Sequence, residues 1–418
     1  MNPGTSGARR VVVVVGAGAA GTMAAIFAAS AGAETRLIER TRDGGRKILI
    51  SGGGRCNILP SKVVESRFVT DSSPNTLRKI LRSWPHRKQV AFFEQELRLP
   101  LKEEPEAAKL FPVSDKARDV RDGLIELARM RGASFEPGVT VTDLAPRPGG
   151  WRVTVAAGIP IDCDAVILAT GGLSVPNTGS DGTGLLILVS LGHTLHQTYP
   201  ALTPVKAAAS PLTALSGISL TVTLTASDGV RTATAMGGFL FTHRGYSGPS
   251  VLDVSHVLVR ARQEGRPAHL IVQWTDLDAM AWEDRLRPVG NQTIGGAVRR
   301  ELPDRLASAL ITMLGLDPST RLAQLRKEDR QRLIESLTRH ELPWIGDEGY
   351  PKAEVTGGGV PLAEIDPVTM ESRLHPGLFI CGEALDAFGP IGGYNFLWAW
   401  ATGRAAGLGA AAPAERAP

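Results

Sequence analysis

At 418 residues and 44.3 kDa the chain exceeds the usual size of a single hydrophobic core, so two or three domains are expected. Its 43% hydrophobic and 21% charged residues exclude a disordered or fibrous chain. A formal charge of +4, with Arg and Lys interleaved among Asp and Glu, describes a solvated, slightly basic surface and speaks against a nucleic-acid partner.

Arg9 and Arg10 precede an uncharged stretch, Val11 to Ala33, long enough to imitate a signal peptide or membrane helix, but its glycine spacing speaks against both, and no membrane association is expected. The valines Val11 to Val15 read as a strand buried on both faces of a parallel sheet, and Ala19 to Ser30 as the helix that follows a tight turn. In that turn, GAGAAG, Gly16 lets the chain reverse, Gly18 lets backbone N–H groups approach a pyrophosphate, and Gly21 lets helix and strand pack closely. Ala19 and Ala20 stand at the helix N-terminus, where free N–H groups and the dipole favour an anion. The next strand, Glu34 to Ile38, ends at Glu39, near the position ~20 residues on where a dinucleotide fingerprint places its ribose-binding carboxylate. Arg40 follows it as a further cofactor contact.

Gly44 to Asn57, GGRKILISGGGRCN, has too few large side chains to pack a core. It reads as backbone running along a flat cofactor, with Gly52 and Gly53 at the close approach and Arg46, Lys47, Ser51, Arg55 and Asn57 as donors. A flavin disulfide reductase would carry a cysteine pair here; Cys56 alone is present and reads as a packing residue. With Cys163 and Cys381 far away and no CxxC spacing, neither a disulfide framework nor a metal site is expected, and a reducing cytoplasm is the default compartment.

Pro74 to Arg131 reads as a charged helical cover with Trp84, Phe92 and Phe93 packed inward, ending in a crossover helix, Ser114 to Arg131, and a strand, Ala133 to Phe135. Val139 to Thr142, Trp151 to Val155 and Ile159 to Asp162 read as short antiparallel strands, with Val139 a cofactor contact. The strand Asp164 to Ala169 ends in ATGG, whose Ala169, Thr170, Gly171 and Gly172 fall at the carboxyl edge where an open α/β sheet meets its ligand. GSDGTG, with Gly179 and Gly182, opens the next helix and is expected to touch the same cofactor.

Past Pro200, a hairpin of Ser219 to Ala226 and Val230 to Ala235, with Phe239 to Phe241 and Ala268 to Trp274, suggests a β-barrel or sandwich insertion. Asp276 to Glu341 is helical, its arginines on exposed faces. No second GxGxxG lies between Pro200 and Pro351, so a nicotinamide domain is absent. Beyond the glycine loop Thr356 to Val360, the strand Leu378 to Cys381 brings Gly382, Glu383 and Asp386 to the ligand edge. Asn395 is expected to cap a final helix beginning around Gly393, Tyr394 and Phe396, packed through Trp398, Trp400 and small residues, and the Ala- and Pro-rich tail after Gly407 reads as disordered. One fingerprint with glycine contacts at both ends of the chain suits one long, non-covalently bound cofactor, FAD. Its adenosine half would lie on Gly16 to Gly21 and Glu39, and its flavin under the C-terminal helix, whose N-terminus favours the negative charge of a reduced ring.

GRKILISGGGRCN, LATGGLSVPNTGSDGTG, FTHRGYSGPS, AEVTGGGV, VTMESR and GLFICGEALDAFGPIGGYNFLWAWATG resemble the successive signatures of the aminoacetone oxidase-like (BaiN-like) family of bacterial flavoproteins, from Val11 to Gly407. ATGG and GSDGTG resemble, more distantly, the fumarate reductase flavoproteins. The family loop usually reads GSTGDG, so Asp181 and Thr183 are exchanged here. The resemblance implies an α/β fold: a Rossmann-like, two-dinucleotide-binding-type FAD domain (1–200 with 351–418), interrupted by a β-barrel (201–275 with 341–350) and a helical subdomain (276–340). It also implies an FAD-dependent oxidoreductase, since members are described as amine oxidases and as reductases of unsaturated substrates. The first reading is hydride transfer from a small organic substrate such as an amine; the alternatives are reduction of a C=C bond and, further off, an RNA-binding flavoprotein. His243 as proton shuttle and Arg244 as carboxylate clamp are the catalytic candidates, with Glu354 and Tyr394 as further pocket residues.

Overall fold

The computed structural model describes residues 9–105, 108–288 and 290–413, in two compact units. The first joins the chain up to Thr198 with the chain from Val355 onward; the second is continuous from Tyr199 to Glu354.

The valine run is the middle strand, β1 (Val11–Val15), of a five-stranded parallel sheet, and Val12, Val13 and Val14 are wholly buried. On one side lie β2 (Glu34–Glu39) and Ser134–Pro137, on the other Ala165–Leu168 and then Leu378–Ile380. Helix α1 (Ala19–Ser30) follows the glycine turn. The C-terminal helix, Tyr394–Ala411, packs on α1 backbone to backbone: a Cβ at Gly403 or Gly407 would collide with the carbonyls of Ala20 and Ala24. The crossover helix is Ala117–Met130.

The helical cover differs from expectation. Leu101–Glu104 and Lys109–Pro112 are strands that pair with each other, the second pairing also with Leu59–Pro60, because Pro100, Pro105 and Pro112 deny that stretch a helical ladder. At the far end the helix continues through Leu408 to Ala411, since alanine is the best helix former and the segment has a partner to pack on; residues 414–418 of the expected disordered tail lie outside the described residues.

The second unit holds a seven-stranded antiparallel sheet with His340–Glu341 at one edge and Trp344–Asp347 at the other. Only Leu342 and Pro343 separate those edge strands along the chain, so the sheet curls back on itself. The hairpin strand is one piece, Thr232–Phe241, and helices between Ala279 and Thr338 share a single hydrophobic cluster with the sheet through Trp274, Trp282, Leu310 and Leu337. Among the described residues no helix is long and apolar enough to cross a membrane.

Candidate functional site

At the carboxyl end of β1 the three fingerprint glycines fall into two kinds. Gly16, at φ 101°, would place a Cβ 2.6 Å from the Ala169 carbonyl, and a Cβ on Gly21 would strike the Gly16 carbonyl. Both are fixed by packing. Around Gly18 a Cβ would meet nothing within 4 Å, so this face of the turn is open to a ligand. The first turn of α1 behind it has no side-chain cap and no acidic residue, which leaves its N–H groups to an anion. Glu39 closes the loop from below, one oxygen accepting from Ala17 N–H at 2.8 Å, the other from Thr41 N–H and Oγ1 at 2.7 Å each. Val139 donates its N–H to the Glu39 carbonyl at 2.9 Å.

Arg40 pairs with Asp181 at 2.5 Å, and the other Asp181 oxygen accepts from Thr183 N–H (3.1 Å) and Oγ1 (2.8 Å). Burial works to raise the Asp181 carboxyl, but the Arg40 and Thr183 hydrogen bonds outweigh it and hold it below the ordinary carboxylate range. The exchanged pair thus bonds across the start of the helix that begins at Thr183, whose cap position is Gly182, and ties its loop to the end of β2, with Gly179 beside Thr41 and Arg40 and Gly182 beside Leu173. Arg40 is occupied in that tie.

A second centre joins four glycine-rich segments. Lys47 Nζ donates to Ser174 Oγ and Glu383 Oε2, each at 2.6 Å; Ser174 Oγ donates to Glu383 Oε1 at 2.5 Å, and Thr356 donates to the same oxygen from N (3.0 Å) and Oγ1 (2.9 Å). Thr356 Oγ1 accepts from the N–H groups of Leu173 (2.7 Å) and Ser174 (3.1 Å). Burial presses the Glu383 carboxyl upward, yet Lys47 and the hydroxyl donors keep it below its usual range, so an ion pair persists here at neutral pH. A Cβ on Gly172 would collide with Thr356 Oγ1. Lys47 and Glu383 were legible in the sequence; Ser174 and Thr356 were not, although Ser174 lies two residues past Gly172 and Thr356 opens a glycine loop, and a lone Lys and Glu at a strand edge need such partners.

The other donors of the second glycine loop have protein partners: Arg46 meets Asp43 (3.1 Å), Ser51 Oγ donates to the Ile48 carbonyl (2.8 Å), and Arg55 meets Glu104 (3.1 Å) over the Phe111 ring. Asn57 lies against Gly52, while a Cβ on Gly53 would meet nothing. Arg121, unmarked by sequence, is buried behind the loop and donates to the carbonyls of Asp43 and Gly44. Gly171 sits against Ser180 Oγ, and the Thr170 hydroxyl is buried against Gly184 with no hydrogen-bond partner among the described residues. Burial pushes the thiols of Cys56, Cys163 and Cys381 up to about 12, so all three are packing residues.

Several assignments at the C-terminal end change. Gly393, at φ 94° and pressed against the Leu59 backbone, holds the cap position of the last helix, and Asn395 lies inside the first turn, its amide bracketing Gly389 N–H (2.9 Å) and carbonyl (3.0 Å). Tyr394 is buried, donating to the Lys62 carbonyl (3.1 Å) and accepting from Val64 N–H (3.3 Å); its hydroxyl is a structural tie, not a pocket group. Phe396 stacks on Trp400. Asp386 is buried, and Oδ2 receives Thr70 Oγ1, Asp71 N–H, Ser72 Oγ and His196 Nδ1 at 2.8 to 3.0 Å. Gly382 rests on Ala20 and donates to Thr402 Oγ1. In the second unit, His243 and Arg244 occupy the exposed turn Thr242–Gly245, Arg244 lying 3.6 Å from Glu348, and Glu354 is exposed with its N–H on the Leu202 carbonyl.

A glycine turn at the carboxyl edge of a parallel sheet, open at Gly18, with further glycine loops converging on Lys47 and Glu383, defines an FAD-dependent oxidoreductase of Rossmann type. The chain belongs to the family described as the HI0933-like protein Rossmann domain, which residues 10–409 match. It is 33% identical over 402 residues to the ribosomal RNA dihydrouridine synthase of Escherichia coli (strain K12), covering 93% of this chain and 95% of that protein. It is 30% identical over 406 residues to the 3-dehydro-bile acid delta(4,6)-reductase of Clostridium scindens, covering 95% and 98%. Among solved structures, the Mycobacterium smegmatis Sdh1 complex in the apo form shares the fold, with a TM-score of 0.51 at 15% identity, over 96% of this chain and 68% of that one.

Proposed function

We propose that the chain reduces a carbon–carbon double bond conjugated to a carbonyl. The observation that carries this reading is that two relatives alike over nearly their whole length are named for different substrates, a ribonucleoside in RNA and a bile acid, yet both names describe saturation of such a bond. That agreement favours reduction over amine oxidation.

Bound FAD, once reduced by an external electron donor, would supply the hydride. The N–H groups behind Gly18 would hold its pyrophosphate, and the loop from Lys47 to Gly54 its ring side. Lys47 has three N–H donors and gives two to Ser174 and Glu383, so one is left for an oxygen of cofactor or substrate. Glu383 holds that ammonium in place. His243 is the proposed proton donor to the carbon next to the carbonyl, and Arg244 the proposed clamp on the substrate.

The test is anaerobic. Protein carrying chemically reduced FAD is mixed with a cyclic enone, with uridine and with a primary amine, and flavin absorbance is followed. The expected result is reoxidation by an unsaturated carbonyl compound. Bleaching of oxidised protein by the amine, with no reoxidation by any alkene, would overturn the reading.

A further inference from the structure

The chain that leaves the parallel sheet after Ala169 touches its carboxyl edge again at two places. The strand Ala165–Leu168 and β2 flank β1 and run parallel to it, so their carboxyl ends share the edge on which the Gly16–Gly18 turn stands. Gly182 donates its N–H to the Gly172 carbonyl at 3.1 Å, which closes the residues between them into a loop of the omega kind. The last residues of that loop alternate in direction. Ser180, buried, turns its Oγ to Gly171 at the end of Ala165–Leu168, whereas Gly179 stands against Thr41 and Arg40, and Asp181 pairs with Arg40, at the end of β2. A segment that meets both flanking strand ends at successive residues crosses the carboxyl end of β1 between them. It thus bridges the edge that carries Gly18 and Glu39.

The two moorings of the loop are unequal. At its start, Leu173 and Ser174 give their N–H groups to Thr356 Oγ1, and the wholly buried Ser174 donates its hydroxyl to Glu383. At its far end, the Arg40 and Asp181 side chains meet at 2.5 Å but are each 39% exposed. Between the two, Pro176 and Asn177 are exposed, and Val175 sits at φ 45°, a left-handed conformation that a β-branched residue rarely adopts. A buried, many-bonded mooring beside a strained turn suits a hinge; a single exposed ion pair, which solvent and salt weaken, suits a clasp. We propose that residues 173–182 form a strap over the adenosine side of the cofactor cradle, and that the Arg40–Asp181 pair is the clasp that opens to admit or release FAD. The exchange of Asp181 and Thr183 makes the clasp possible, since threonine at 181 would offer Arg40 no carboxylate. The strap governs possession of the cofactor and not the reaction, so it stands or falls apart from the reductase reading.

The test follows FAD in both directions with the full-length protein. Release from the holoprotein is read as recovery of FAD fluorescence on dilution, and capture by the stripped protein as its quenching, over a series of sodium chloride concentrations. Asp181→Asn and Arg40→Gln should each quicken both release and capture by about two- to fivefold, the share of one exposed ion pair. Because both rates rise together, Kd for FAD should stay within about twofold of the wild type. The double variant should be no faster than the quicker single one, since the two side chains act as a unit. Salt should quicken both steps more in the wild type than in the variants, and Arg40→Lys should restore slow exchange. Arg152→Gln, which breaks an equally exposed pair with Asp162 on an outer hairpin of the same unit, should exchange FAD like the wild type. Faster release with unchanged capture would make the pair a holding contact and overturn the clasp. Unchanged rates in both single variants, additive gains in the double variant, or the same salt response in every protein would overturn it too.

Discussion

Gly16, Gly18 and Gly21 look equivalent as a motif, and the surroundings of each separate them. Gly16 and Gly21 have backbone where a side chain would go, and Gly16 adds a positive φ; Gly18 has extended backbone and open space. Gly16→Ala is therefore expected to cost about 1–3 kcal/mol of stability or more. Gly18→Ala should melt within about 0.5 kcal/mol of the wild type without cofactor yet bind FAD at least tenfold more weakly, because its methyl stands in the pyrophosphate's path. Melting curves with and without FAD, with a fluorescence titration, check both; unchanged FAD affinity in Gly18→Ala would remove the fingerprint's role. Spacing alone marked the turn because Gly16 and Gly21 leave no room for a side chain. Ser174 and Thr356 stayed hidden because a hydroxyl suits a loop, a cap or a surface equally well, and only the fold shows that both reach one oxygen of Glu383.

Elements with a strong period or composition, such as β1, α1 and the crossover helix, were legible to within a few residues. The strands between Leu101 and Pro112 were not, because their charged sequence lacks alternation and only the prolines mark the break. The final helix shows a subtler failure. Asn395 has the chemistry of a cap, but Gly393 alone can cross the Leu59 backbone at φ 94°, and the helix starts there. Tyr394 consequently points into the Lys62–Val64 loop. Tyr394→Phe is expected to lower stability by about 1 kcal/mol and leave turnover unchanged; a fall in turnover at constant stability would return this hydroxyl to the chemistry.

Each unit contains a histidine that acid must charge, buried in the first and half-buried in the second. In the first, His193 donates from Nδ1 to Glu364 (2.6 Å) and accepts Ser372 Oγ–H at Nε2 (2.9 Å). In the second, His340 lies beside Trp274 and Ser336. Burial lowers both below the ordinary imidazole value of 6.5. The unfolded chain then takes up protons before the folded one does, so this contribution to stability is complete above pH 6.5 and is lost as pH falls from there toward the lowered folded values. Glu364 and Glu383, also lowered, extend the loss to more acid pH. Melting temperature should be flat above neutrality and drop steadily from pH 6.5 to 5, and His193→Gln should flatten the first part of that drop; a pH-independent melt would refute the assignment. The discontinuity of the first unit also orders events during synthesis. The second unit can close as soon as Glu354 has emerged, while the parallel sheet still waits for its edge strand and α1 for the glycine face of the last helix. Thr356 and Glu383 arrive in that same late segment, so a nascent chain exposes an unfinished alanine surface and has no complete cradle. The ion-pair centre around Glu383 is therefore assembled last, once the C-terminal segment has joined the sheet.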